Sequence, residues 1–381
     1  MLGLILGPYA GADTWSLFYD GSYSGIKSLA SHDGKLFAGN GFYPNESDIL
    51  VFNGSTWSLS YDGDKNSIKC LTEYNGKLYA GLSGSVSGDG DILAYDGNTW
   101  STSYNGSQIE INTMALYNGK LYAGQGTSSG DILVFDGNTW QTTYNASENA
   151  SATVSLAAYD GKLYAGQERG GQWGRIRAYN GTAWSDAYTG YAGAAAYSLA
   201  SYNGKLYAGF GSQTGQGVIL AYNGANWAYS YNNNTYDTIT SLIEYNGKLY
   251  AGTRGTYMGY GNVLVFDGND WSQSYTNGYN AINALTVYGG RLYAGKGDRA
   301  YQGFGDIIVL GTTTTSTTSS TSTTSTTQGT CQMPGNAPPC ANISLGEVID
   351  AILQWSNGLL NLQTVINLIN SWADPVSYPP A

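Results

Sequence analysis

Tyr117-Asn118-Gly119-Lys120-Leu121-Tyr122-Ala123-Gly124 decides the reading of this chain, because near copies of it return along most of the sequence. Its basic residue falls at Lys35, Lys77, Lys120, Lys162, Lys205, Lys248 and Arg291, so seven copies follow one another at intervals of 42 or 43 residues. A tryptophan keeps the same period, at Trp15, Trp57, Trp100, Trp140, Trp184, Trp227 and Trp271. Self-similarity at a fixed spacing of about 20 to 50 residues marks an architecture of stacked supersecondary units.

One period, residues 112 to 144, reads as four short strands. An apolar run reaches Tyr117; Lys120 to Gly124, Asp131 to Phe135 and Thr139 to Tyr144 follow. Asn118-Gly119 and Asp136-Gly137 join them, and both dipeptides supply the positive φ angles that tight hairpins demand. Each repeat is therefore an antiparallel meander. Asp131-Ile132-Leu133-Val134-Phe135 is apolar on both alternating faces, so each small sheet must be covered on both sides by its neighbours. Seven four-stranded sheets packed around an axis satisfy this, and the fold class expected is an all-β, seven-bladed β-propeller. The phase of the repeat also predicts closure. The seventh copy stops after its third strand, Asp306 to Leu310, while the N-terminus opens with an orphan tryptophan strand, Thr14 to Tyr19. The two ends should share one blade.

The resulting boundaries are an N-terminal extension at 1–11, the propeller at 12–311, a Ser/Thr-rich linker at 312–330 and a small C-terminal domain at 331–381. Met1 to Leu6 is too short and lacks the basic start of a signal peptide, which reads as a processed or truncated terminus. No run approaches the about 20 apolar residues that span a membrane.

Leu121-Tyr122-Ala123-Gly124, Phe135 and Trp140 fill the places that an apolar strand ending in two glycines, a following aromatic and a spaced tryptophan fill in kelch repeats. The chain thus resembles the kelch-like and galactose-oxidase-type propellers over about residues 12 to 311. That resemblance implies the propeller fold. The copper chemistry of the oxidases needs two histidines, and this chain has one.

Beyond the repeats the composition changes. Residues 312 to 327 are sixteen consecutive Ser or Thr. At about 3.3 Å per extended residue this spacer reaches roughly 50 Å, and Thr312, Thr313, Thr314, Thr315, Thr317 and Thr318 are candidate O-glycosylation positions. Cys331 and Cys340 bracket a Pro/Gly-rich turn, a spacing that suits a local disulfide in an oxidising compartment, two free thiols being the alternative. From Ser344 the period shifts from two to 3.6. Ser344 with Glu347 forms a capping box, and Leu345, Val348, Ile349, Ile352 and Leu353 share one helical face. After Gly358, Asn361 caps a second helix whose stripe is Leu362, Val365, Ile366, Ile369 and Trp372, stopped by Pro375. The expectation is an α-helical hairpin. It resembles the dockerin-like helix pairs that end many prokaryotic, especially archaeal, surface proteins after a Thr-rich linker, and it lacks their calcium loop. A tail of about 40 residues with two apolar stripes buries too little to be stable alone, so the stripes call for a docking partner; an autonomous mini-domain held by its disulfide is the alternative.

Composition narrows the chemistry. With 27 acidic against 16 basic residues, a net charge of −11 and only 11% charged residues, the chain is too poor in Lys and Arg to hold nucleic acid through phosphates. Gly126-Thr127-Ser128-Ser129-Gly130 matches G-x-S-x-G, but in a β–β loop instead of the strand-to-helix turn that exposes a nucleophile. His32 ends a first strand where other repeats carry tyrosine, which assigns it a structural role. Cys70 reads as an inert core thiol. Aspartate recurs at the start of the third strand, at Asp48, Asp91, Asp131 and Asp306, replaced by Arg175, Val218 and Asn262 in other repeats, and its repetition by blade points to a structural or hydration role. No catalytic, metal or cofactor site is expected, and the chain reads as a non-enzyme.

In a meander the alternate connections lie at opposite ends of the sheet, so the Asn-Gly turns share one face and the variable loops the other. The variable face is the expected binding surface; Trp173, Tyr257, Tyr260, Tyr301 and Phe304, with Phe42 and Tyr43, are its candidate contacts to sugars or subunits. Asn-x-Ser/Thr sequons occur at Asn45, Asn53, Asn105, Asn145, Asn149, Asn180, Asn233 and Asn342, all in turns or loops. Together these features predict an extracellular, glycosylated structural protein whose propeller joins other copies through the helical tail into a filament or surface array. The alternative is a secreted lectin or adhesin that binds glycans or other cell-surface proteins and is anchored by the tail.

Overall fold

Asn75 and Gly76 both adopt positive φ, 49° and 72°, and this local demand sets the whole architecture, since the same pair of left-handed residues reverses the chain after the first strand of every repeat. The computed structural model describes residues 13–21, 25–41, 47–126, 129–146, 152–169, 172–190, 195–211, 217–232, 236, 238–255, 261–276, 280–297 and 305–311. The chain divides into two compact units, Met1–Thr314 and Thr315–Ala381, and every described residue belongs to the first. The helical hairpin, its disulfide and the O-glycosylation candidates lie outside the described residues.

Among the described residues, twenty-eight strands form seven four-stranded antiparallel blades. Blades 1 to 6 span 25–61, 67–104, 110–144, 152–189, 195–232 and 238–276. In blade 3 the strands are Glu110–Tyr117, Lys120–Gly126, Ile132–Phe135 and Trp140–Tyr144. Blade 7 takes three strands from 282–310 and its fourth from Trp15–Tyr19, which pairs antiparallel with Ile307–Leu310 through Trp15↔Leu310 and Leu17↔Ile308. The ring therefore closes through the N-terminal strand, as the phase of the repeat requires.

First strands of successive blades lie against one another around the whole ring, that of blade 7 against that of blade 1, so they are the innermost. Each carries a bulge near its start, at Lys27, Lys69, Asn112, Val154, Tyr197, Thr240 and Asn283. A bulge adds local twist.

No blade owns a core. The described apolar residues form seven clusters, each spanning one blade–blade interface; one joins Tyr79 and Ile92 of blade 2 to Ile111, Leu121 and Leu133 of blade 3. This is the covering that the doubly apolar third strands demand. Close approach depends on the glycine ending the repeated phrase. A Cβ on Gly209 would lie 2.5 Å from Ile239 Cγ2 of the next blade, a distance that packed atoms do not tolerate.

Candidate interaction surfaces

Three sets of polar ties cross the blade interfaces. Near the tight turns, the tyrosine ending each first strand donates its hydroxyl to a turn-glycine carbonyl of the next blade. Tyr74, Tyr117, Tyr159, Tyr202, Tyr245 and Tyr288 reach Gly119, Gly161, Gly204, Gly247, Gly290 and Gly34 at 2.8–3.1 Å. Blade 1 breaks the series: His32, 6% exposed, sets Nδ1 3.1 Å from Glu73 Oε2 of blade 2. The expected structural role of His32 is thus what the geometry gives.

Midway along the first strand, just past the bulge, Ser28, Ser155 and Ser198 donate to Ile68, Ala196 and Ile239 carbonyls of the next blade at 3.0, 2.6 and 3.2 Å. Cys70 takes the same position, with Sγ 3.8 Å from the Ile111 carbonyl, and burial pushes its thiol up to about 12. A thiol held protonated is a poor nucleophile.

On the rim, the tryptophan Nε1 of one blade donates to the fourth strand of the preceding blade. Trp15, Trp100, Trp140 and Trp271 use Ser274, Ser60, Ser103 and Ser230 hydroxyls, and Trp227 uses the Ala187 carbonyl, at 3.0–3.1 Å.

The recurring aspartate is structural as well. Asp48, Asp91 and Asp131 accept the N–H of Gly63, Gly106 and Ala146 at 3.2, 2.9 and 2.7 Å, pinning the crossing to the next blade. Asp306 instead meets Lys296 Nζ at 2.9 Å. Where blade 4 has Arg175, the guanidinium bonds Gln167 Oε1 at 2.7 and 3.1 Å, and Gln167 in turn donates to Thr153 Oγ1 and the Gly130 carbonyl. That buried network was not legible in the repeat, where Arg175 is only a departure from pattern.

Two faces result. First strands run toward the tight turns, so third strands do too, and Leu310 ends on that side paired with Trp15. Both chain ends therefore leave the ring at the tight-turn face of blade 7. The same face carries a cavity of about 620 Å³ bordered by Glu73, Leu116, Ala158 and Lys162 together with turn residues of blades 2 and 3. Leu116, 46% exposed, is its apolar element. Sequence reasoning placed binding on the opposite face. The signal for the cavity lay in the next-to-last residue of the first strand, which reads Ser31, Glu73, Leu116, Ala158, Ser201, Glu244 and Val287 just before the near-constant tyrosine.

Of the variable-face candidates, Trp173 has its backbone at the start of Gln172–Tyr179, and its side chain lies outside the description. Phe42, Tyr43, Tyr257, Tyr260, Tyr301 and Phe304 also lie outside it, as do Thr127 and Ser128 of the G-x-S-x-G match. Among the sequons, Asn53, Asn105, Asn145 and Asn180 are described and exposed; Asn45, Asn149, Asn233 and Asn342 are not described. Among the described residues no group of three or more His, Cys, Asp or Glu is placed to hold a metal ion, and no helix is long and apolar enough to cross a membrane.

No family model and no curated protein matches the sequence. Solved structures do match in fold. U3-55K is 13% identical with a TM-score of 0.56, covering 80% of this chain and 99% of its own. The RRP9 WD40 repeats are 12% identical with a TM-score of 0.56, covering 80% and 98%. The extracellular domain of a B. thetaiotaomicron protein is 14% identical with a TM-score of 0.57, covering 78% of this chain and 40% of that one. At such identities the likeness establishes a β-propeller and nothing about activity.

Proposed function

We propose that this protein is an extracellular, glycosylated building block, in which the propeller is a rigid disc and the C-terminal tail grips a neighbouring copy to give a filament or surface array. The observation that carries the reading is the attachment of the tail. Ile307, Ile308, Val309 and Leu310 are all buried, and this strand lies between two partner strands, so the tether begins on one of the best-anchored segments of the ring. Sixteen Ser/Thr residues and two apolar stripes with no basic residue follow it in sequence. Head-to-tail contacts of this kind propagate unless the rotation closes. A kelch-like repeat and a dockerin-like tail, both readings of sequence resemblance, fit such a surface protein, and one fold neighbour is itself an extracellular domain.

The test is electron microscopy of the purified full-length chain beside a Leu353→Asp/Ile366→Asp variant. Ordered assemblies in the parent and single discs in the variant are expected. Assemblies that survive the double substitution end the reading. A lectin remains the second reading, favoured by the aromatic residues of the variable loops; saturable binding on a glycan array that disappears in Trp173→Ala or Tyr260→Ala would establish it.

A further inference from the structure

The four described sequons occupy two different settings. Asn53 and Asn180 hold the same place in blades 1 and 4, opening the turn between third and fourth strands on the tight-turn face. Asn53 Oδ1 accepts the N–H of Ser55 and Thr56 at 2.9 and 3.0 Å; Asn180 Oδ1 accepts those of Thr182 and Ala183, both at 2.9 Å, and the Thr182 hydroxyl at 2.8 Å. Two backbone donors converging on one side-chain atom fix that atom as the oxygen. Blades 2, 3 and 6 place Asp96, Asp136 and Asp267 there with the same pair of bonds. A carboxylate has no N–H, so the turn needs an acceptor only and the Asn amide nitrogen has no task in the fold. All three residues of each sequon, 53–55 and 180–182, are exposed.

Asn105 and Asn145 are exposed too, but the residue after each is buried and its N–H is held by Asp91 or Asp131. A transferase that must grasp the sequon backbone would have to pull these segments out of the blade interface.

We propose that Asn53 and Asn180 are modified by N-glycosylation on the folded ring and that Asn105 and Asn145 stay bare; this rests on the glycoprotein reading above. The step joins Nδ2 to the anomeric carbon of an activated sugar phosphate. The phosphate leaves with the C–O bonding pair, the amide loses one proton, and Oδ1 keeps its bonds. Blades 1 and 4 stand three steps apart in a ring of seven, so the two glycans crown nearly opposite parts of the rim on the face where both chain ends leave.

The experiment is glycopeptide mass spectrometry of the full chain secreted from an N-glycosylating host. Sugar is expected at Asn53 and Asn180 and not at Asn105 or Asn145. Asn223 provides an internal control, since it makes the same turn but is followed by Gly224 and Ala225; Ala225→Thr should create a third occupied site. Asn53→Asp and Asn180→Asp should each remove one glycan and keep the turn. Occupancy at Asn105 or Asn145 equal to that at Asn180 would overturn the proposal, as would bare Asn53 and Asn180 beside sugar at other sequons. Absence of sugar at every sequon would instead sink the glycoprotein reading, and this inference with it.

Discussion

The interface between blades 5 and 6 and the seam between blades 7 and 1 carry out the same packing with different chemistry. In the first, Ile239 fills the hollow over Gly209, Tyr202 bonds the Gly247 carbonyl and Trp271 bonds Ser230. At the seam, Ile26 fills the hollow over Gly295 and Tyr288 bonds the Gly34 carbonyl, but Phe18 stands where the rim serine should be. Trp57 Nε1 is buried there without a partner. In exchange, Phe18 packs edge-on against Phe52 and Tyr293, both at 4.9 Å, and against Trp57 at 6.0 Å. Blade 7 is also the blade whose third and fourth strands no turn connects. At the seam aromatic burial stands in for the directional bond, each such ring pair being worth about 0.5–1.5 kcal/mol beyond its area; Trp184 Nε1, between blades 3 and 4, is also buried without a partner, so an unpaired indole is not peculiar to the seam.

The harshest way to break this comparison is to delete residues 13–21. The seam then loses its strand pairing and its aromatic cluster together, and the ring should lose its single cooperative melting transition by circular dichroism. Phe18→Ala should cost about 3 kcal/mol, the low end for a large aromatic because Phe18 is only half-buried, read as a fall in the denaturation midpoint. At the ordinary interface, Gly209→Ala should cost about 2 kcal/mol through overpacking against Ile239. A gentler probe, Tyr202→Phe, removes one inter-blade hydrogen bond and should cost about 1 kcal/mol. If Phe18→Ala proved milder than Tyr202→Phe, aromatic packing would not be what holds the seam.

The smallest expected effect comes from the rim turns. Backbone N–H groups hold the Asp96, Asp136 and Asp267 carboxyls below their usual range, those of Thr99, Thr139 and Asp270 foremost. A carboxyl lowered on folding stabilises fully above its unfolded value, near pH 4, and loses that contribution as pH falls through the lower folded value. Thermal melting should therefore be insensitive to these groups from pH 7 down to about 4 and drop below it. The triple substitution to Asn keeps the acceptors and should flatten that acid limb.

Much of the ring was legible because its cues are local. Asn-Gly and Asp-Gly mark their own turns, and the tryptophan phase exposed the orphan strand at Trp15. The expected role of His32 was also readable, from its place in a column of tyrosines. Its partner Glu73 was not: the two residues meet only because of the stagger between blades 1 and 2, which no periodicity encodes. Arg175 and Gln167 were opaque for the same reason, as their network exists only where three strands converge. The cavity beside Leu116 escaped because variation was sought in loops, whereas here it sits on an inner strand.

By itself the sequence determined the number of blades, the four-strand meander and the closure through the N-terminal strand. These follow from turn stereochemistry and from counting, both of which act within a few residues. Only the tertiary structure decided which groups tie one blade to the next, that both chain ends leave by the tight-turn face, and which sequons offer an accessible backbone. Those facts depend on atoms from 15 to more than 250 residues apart in the chain, brought within bonding distance by the twist and stagger of packed sheets.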